Sequence, residues 1–123
     1  MTIQTHSFAG EEKLKEHAQS FSRKVEKIND QVWFFTGFGG SNMIAVVGDD
    51  SCVLIDSLNG KEVAEDALAE LRKITDKPVN TIIYTHTHFD HTSGAGVFAN
   101  ENTEIIAHSY KTAVYGHSNL ITN

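Results

Sequence analysis

The stretch IIYTHTHFDHTSGAG, residues 82–96, sets three histidines and an aspartate within six positions: His86, His88, Asp90 and His91. Neutral imidazole and ionised carboxylate are donors for borderline divalent metals such as Zn²⁺. In an extended segment residues i and i+2 face the same side, so His86 and His88 can grip one ion together. Asp90 and His91 are adjacent, and a turn after His88 lets both reach a second position close by. The cluster begins where an apolar strand stops, and in open α/β folds ligands gather outside the carboxyl ends of strands. Ser93, Gly94, Ala95 and Gly96 follow at once, and such small residues let the backbone turn sharply and a helix approach closely.

Outward from the cluster, VNTIIYT (79–85) reads as a strongly apolar strand. Before it, KEVAEDALAELRKI (61–74) places Val63, Ala67, Leu68, Leu71 and Ile74 on one helix face, and Asn59 with Glu62 three positions on resembles a capping pair. The runs QVWFFT (31–36), NMIAVV (42–47) and SCVLID (51–56) read as strands, the last two joined by a tight turn at Gly48-Asp49-Asp50. Strand, helix, strand over 51–85 favours a parallel crossover. Further upstream, Leu14, Ala18, Phe21, Val25 and Ile28 recur at helical steps, so residues 1–30 are expected to be an amino-terminal helical segment, with His17 on its polar face. Downstream, TSGAGVFAN is expected to start a short helix, TEIIA (103–107) to form a strand, and HSYKTAVYG a further helix. The glycine-rich TGFGGSN (36–42) leads into a strand where phosphate would need a helix start, so it reads as a flexible loop that overhangs a site.

Composition narrows the function classes. Apolar residues make up 40% and charged ones 21%, as in a globular protein, and 10 basic residues against 16 acidic ones give a net charge of −6. That balance argues against nucleic acid and anionic membranes as partners. The single cysteine, Cys52, lies in an apolar run and reads as a small buried hydrophobe, with no disulfide framework. No apolar run reaches the roughly 18 residues of a membrane span, and the amino terminus lacks a signal-peptide layout, so a cytoplasmic location is expected.

THTHFDH (85–91) resembles the H-x-H-x-D-H signature of the metallo-β-lactamase superfamily of metal-dependent hydrolases. The likeness runs over about residues 31–110, and GSNMIAVVGDD, LIDSLNG, DKPVNTIIYTHTHFDH and EIIAH are most like the alkyl sulfatase branch. Two places depart from that branch, which carries H-S-H and then Phe-Gly-Gly where this chain has Thr87 and Thr92-Ser93-Gly94. The resemblance implies an α/β fold, the amino-terminal half of an αββα sandwich, with residues 31–123 as a partial domain. It implies two divalent metal ions, Zn or else Mn or Fe, with His86 and His88 on the first and Asp90 and His91 on the second. Asp56, at the end of the second opening strand, would support them from behind. A hydroxide held between the ions would attack a small-molecule ester-type substrate, a sulfuric ester in the full-length protein, with Asp90 also orienting it or handling its proton.

A complete family site needs further ligands, and the chain offers His108, His117 and His6 as weaker candidates, with Glu101 and Glu104. The exposed sheet face of a half-sandwich is expected to drive association, including a homodimer. Other hydrolases of the superfamily, acting on a thioester, lactone or lactam, share the motif. A truncated fragment or an interaction module without catalysis is the reading from a different class.

Overall fold

The computed structural model describes residues 9–20 and 22–109. In chain order these form α1 (Ala9–Ser20), β1 (Lys24–Lys27), β2 (Val32–Thr36), β3 (Met43–Val47), β4 (Cys52–Ile55), α2 (Lys61–Ile74), β5 (Val79–Ile83), α3 (Phe89–Thr92), α4 (Ala95–Phe98) and β6 (Glu104–Ile106). The strands make one sheet in sequence order, antiparallel from β1 to β4 and parallel from β4 through β5 to β6. The mixed α/β sheet with flanking helices is the expected fold class. The crossover β4–α2–β5 makes the parallel pair, and Gly48 N–H closes the β3–β4 turn on the Ser51 carbonyl at 2.8 Å.

The amino-terminal segment needs correction. Helix α1 ends at Ser20, and Lys24–Lys27 is a strand paired antiparallel with β2, Val25 opposite Phe35. Val25 and Ile28 fit the helical spacing, but the free edge of β2 offers a whole ladder of backbone hydrogen bonds and takes the segment as strand. Val25 packs against the core, while Leu14 on α1 is 69% exposed. Arg23 marks the change of direction: its guanidinium lies 5.3 Å over the Phe38 ring and meets Asp66 of α2 at 2.8 Å. The expected helix over 108–116 falls mostly outside the described residues.

Alternation along the strands sends one set of side chains under α2 and α4. Ala45, Leu54, Ile82 and Ile105 stand side by side across four strands and are buried with Phe35, Met43, Val79 and Cys52. Helix α2 answers with Ala64, Ala67 and Leu71 at the centre of its buried face; Val63, Leu68 and Ile74 flank it. Cys52 is fully buried as expected, and burial pushes its thiol above the usual range, against the pull of Arg72 and Lys77. The capping pair does not form: Gly60 is the N-cap, without a side-chain cap bond, and Asn59 Oδ1 is buried with no hydrogen-bond partner.

The opposite sheet face is also apolar. Register sets Phe34, Ile44, Ile55, Ile83 and Ile106 in one row across five strands, half-buried except for Ile106, which is 45% exposed. A continuous apolar row of this kind favours association. The isolated chain is expected to show more than one copy per particle in light scattering, and Ile44→Thr with Ile55→Thr is expected to return it to one. A monomeric wild-type chain would refute this.

Candidate metal centre

Because β4 and β5 are parallel neighbours, the segments after Ile55 and Ile83 leave the sheet at the same edge. Asp56 continues β4 by donating its N–H to the Ile83 carbonyl at 2.8 Å, then turns into the left-handed region at φ 63°, with Leu58 following at φ 68°. The turn buries the Asp56 carboxylate, leaving the residue 5% exposed. Its Oδ1 accepts the Thr85 N–H at 2.8 Å, and its Oδ2 accepts the Thr85 hydroxyl at 2.7 Å and meets His91 Nδ1 at 2.8 Å.

That network decides how two imidazoles are presented. An ionised carboxylate only accepts, so His91 carries its proton on Nδ1 and leaves Nε2 with a free lone pair. The Thr85 hydroxyl spends its proton on Asp56, so at 2.9 Å it accepts from His86 Nδ1, and the His86 Nε2 is likewise freed. One buried carboxylate thus orients His91 directly and His86 through a hydroxyl.

The structure brings the rings close together, with His86 nearer to His91 than to His88. His86 lies 4.7 Å from His88 and 4.0 Å from His91 between ring centroids, and His91 Nε2 stands 3.5 Å from Asp90 Oδ2. The pairing of His86 with His88 arises in a bend after the strand, since β5 ends at Ile83. Helix α3 begins within the motif, with His88 as its N-cap, and supplies the turn that carries Asp90 and His91 round. Among the described residues no three His, Cys, Asp or Glu side chains are arranged to hold one ion. The donor set still fits a divalent metal in its chemistry: imidazoles and a carboxylate side by side, with two Nε2 lone pairs freed by partners behind them.

Contacts that sequence reasoning missed hold the motif loop in place. Ser57 donates both its N–H, at 2.7 Å, and its hydroxyl, at 3.1 Å, to the His91 carbonyl. The Ser41 hydroxyl donates to the Asp90 carbonyl, tying the glycine-rich loop to the motif. Gly94 N–H reaches the Leu58 carbonyl at 3.3 Å. Beneath them Tyr84 is buried, which pushes its hydroxyl above the ordinary range against the effect of a Ser57 hydrogen bond. Ser57 adjoins Asp56 in sequence, the one signal that could have pointed to it. Among the weaker candidates His108 is exposed beyond β6, while His6 and His117 lie outside the described residues. His17 is exposed on α1, and no helix among the described residues is long and apolar enough to cross a membrane.

Comparison with known proteins agrees with this architecture. The model of the metallo-beta-lactamase superfamily matches residues 36–120. An alkyl/aryl-sulfatase of Saccharomyces cerevisiae is 42% identical over 69 residues, 55% of this chain and 11% of that protein. The alpha subunit of a 2,4-dinitroanisole O-demethylase from a Nocardioides species is 33% identical over 94 residues, 76% of this chain and 28% of that subunit. The solved structure of a stereoselective inverting sec-alkylsulfatase from a Pseudomonas species superposes with a TM-score of 0.73 at 27% identity, covering 81% of this chain and 17% of that one. The chain therefore spans only a small part of the relatives it matches. By the reach of the family model and the match of its sheet, the chain belongs to the metallo-beta-lactamase superfamily.

Proposed function

We propose that the chain carries part of the metal site of a hydrolase that cleaves sulfuric esters. His86 and His88 would hold one divalent ion, and Asp90 and His91 a second, with zinc the first candidate and manganese or iron acceptable to the same donors. The observation that carries the reading is the Asp56 network, because metal-bearing histidines rely on a carboxylate or hydroxyl behind the ring to fix tautomer and direction. A bound divalent ion supplies Lewis acidity, acidifying water towards neutrality and drawing charge from the ester oxygens. The chain's own residues then orient and move protons. Asp56 keeps His91 protonated on Nδ1, Thr85 does the same for His86, and Asp90 would orient the attacking water or accept its proton.

The sulfuric-ester assignment leans on the sulfatases among the relatives. The similarity to the O-demethylase subunit reaches over more of this chain and favours a second reading, cleavage of a nitroaryl methyl ether by the same half-site. Metal content per chain after dialysis, with His86→Ala as control, tests the shared part. At least one ion per chain, lost in the variant, is the expected result, and a folded chain without metal would reject it. Sulfate release from an alkyl sulfate, set against turnover of dinitroanisole, a thioester and a lactone, then chooses the substrate. Turnover of the lactone alone would sink the sulfatase reading.

A further inference from the structure

Helix α3 is a single turn, too short to hold itself in place. Ser93 N–H closes on the Phe89 carbonyl at 2.9 Å, but the Gly94 N–H that would close on Asp90 goes to the Leu58 carbonyl instead. The carbonyls of Asp90, His91 and Thr92 accept from hydroxyls that arrive from three other segments: Ser41 before β3, Ser57 after β4 and Tyr84 after β5, the last at 3.4 Å. Tyr84 is fixed by the sheet. Its N–H donates to the Ile106 carbonyl at 2.9 Å, and alternation puts its ring on the same buried side as Ile82. The phenol also meets the Ser57 hydroxyl. Ser57 spends its proton on the His91 carbonyl, so it accepts from Tyr84, whose one proton is shared between Ser57 Oγ and the Thr92 carbonyl. Phenylalanine would fill the same space, and a buried hydroxyl costs free energy unless it is bonded, so what tyrosine adds at 84 lies in these bonds.

We propose that Tyr84 is a positioning residue for the second metal position: its hydroxyl, acting with that of Ser57, sets the carboxyl end of α3 so that Asp90 and His91 present their donors together. The proposal rests on the metal reading for what those donors hold, and goes beyond it in assigning a residue that acts through the backbone of the motif helix. The bonds fall on the carbonyls of His91 and Thr92, so they fix where the His91 ring starts from in its reach to Asp56. None of them falls on the backbone of His86 or His88, which precede α3, and the first metal position is expected to be spared.

Nitrogen-15 NMR of the imidazoles in the whole chain tests this, because it follows each ring separately, with zinc as the probe. Tyr84→Phe removes the oxygen and keeps the ring. It is expected to raise the zinc concentration that half-saturates His91 about tenfold, the lower end of what the loss of a supporting contact costs a metal site, and to leave His86 and His88 unchanged. Without metal, the His91 Nδ1 proton is expected to exchange with water faster in the variant, and the His86 proton at its wild-type rate. Thr103→Val is the matched control. It also takes a buried hydroxyl from a carbonyl of β5, that of Val79 at 2.7 Å, but at the opposite end of the strand, and it is expected to change neither reading. An equal response of all three rings to Tyr84→Phe, or the same response to both variants, would mean that the phenol only stabilises the fold, and would overturn the proposal. Should Tyr84→Phe not fold, Ser57→Ala breaks the same row at its middle and is expected to give the same selective loss; three rings responding alike there would overturn it too. A folded wild type whose rings take no zinc would sink the metal reading instead, and the exchange rates of the metal-free chains then decide whether Tyr84 holds His91.

Discussion

Asp56→Ala is expected to lower divalent-metal affinity by about 10–100-fold, although residue 56 is not itself a proposed ligand. The carboxylate receives three donors, the Thr85 N–H, the Thr85 hydroxyl and His91 Nδ1, all within 2.8 Å. Without it the His91 ring loses the partner that fixes its tautomer. The Thr85 hydroxyl, its acceptor gone, is free to donate to His86 Nδ1 instead, which moves the His86 proton to Nε2 and removes the lone pair a metal needs. Stability falls as well, because each buried donor left unpaired costs about 1–3 kcal/mol, and alanine is poorly suited to φ 63°. Asp56→Asn separates the two effects. Asparagine tolerates that φ and keeps the shape, but one of its two tips donates where the network needs an acceptor. It is expected to lose metal affinity nearly as far as alanine while losing less stability. Competition with a chromogenic chelator reads the first quantity and thermal unfolding of the metal-free chain the second. Unchanged affinity in both variants would mean that Asp56 only fills the core.

What the sequence discloses follows from how local the cause is. His86, His88, Asp90 and His91 are legible because one short loop after one apolar strand carries them all, and the strands themselves are legible from runs such as Met43–Val47 and Val79–Ile83. The causes that act across the chain are hidden. Residues 24–27 look helical by spacing, and only the open edge of β2 makes them a strand. Asn59 and Glu62 have the spacing of a cap, yet the Asn59 side chain lies against Gly39, and Gly60 caps α2. The Ser41 and Ser57 bonds to the motif loop join residues 49 and 34 positions apart, and no periodicity encodes them. The left-handed turns at Asp56 and Leu58 are equally silent: aspartate tolerates such a backbone, but a leucine there is chosen by the burial of its side chain.

The second large effect is expected at Gly94. A Cβ there would stand 2.0 Å from the Ser57 carbonyl oxygen, 3.2 Å from its carbon and 2.8 Å from Ala64 Cβ. Two of these neighbours are backbone, so no side-chain rotation relieves the overlap; the turn between α3 and α4 must move away from α2. Moving it strains the contacts that hold the motif loop, the Gly94 N–H to the Leu58 carbonyl and the two Ser57 bonds to the His91 carbonyl. Gly94→Ala is therefore expected to cost about 3 kcal/mol of stability, the upper end of ordinary overpacking, and to weaken metal binding because His91 is displaced from Asp56. Gly96→Ala is the matched control. It adds the same methyl two residues on, inside α4, where a Cβ meets nothing within 4 Å, and it is expected to be neutral or to stabilise by about 0.5–1 kcal/mol, the gain of replacing glycine in a helix. Urea unfolding of both variants, with the chelator titration alongside, decides the matter. Equal stability at the two positions would mean that α3 and α4 can slide over α2 without loss, and that the close approach at Gly94 does not hold the site. A loss confined to Gly94→Ala, in stability and metal together, would tie the half-site to a single backbone contact between Ser57 and Gly94.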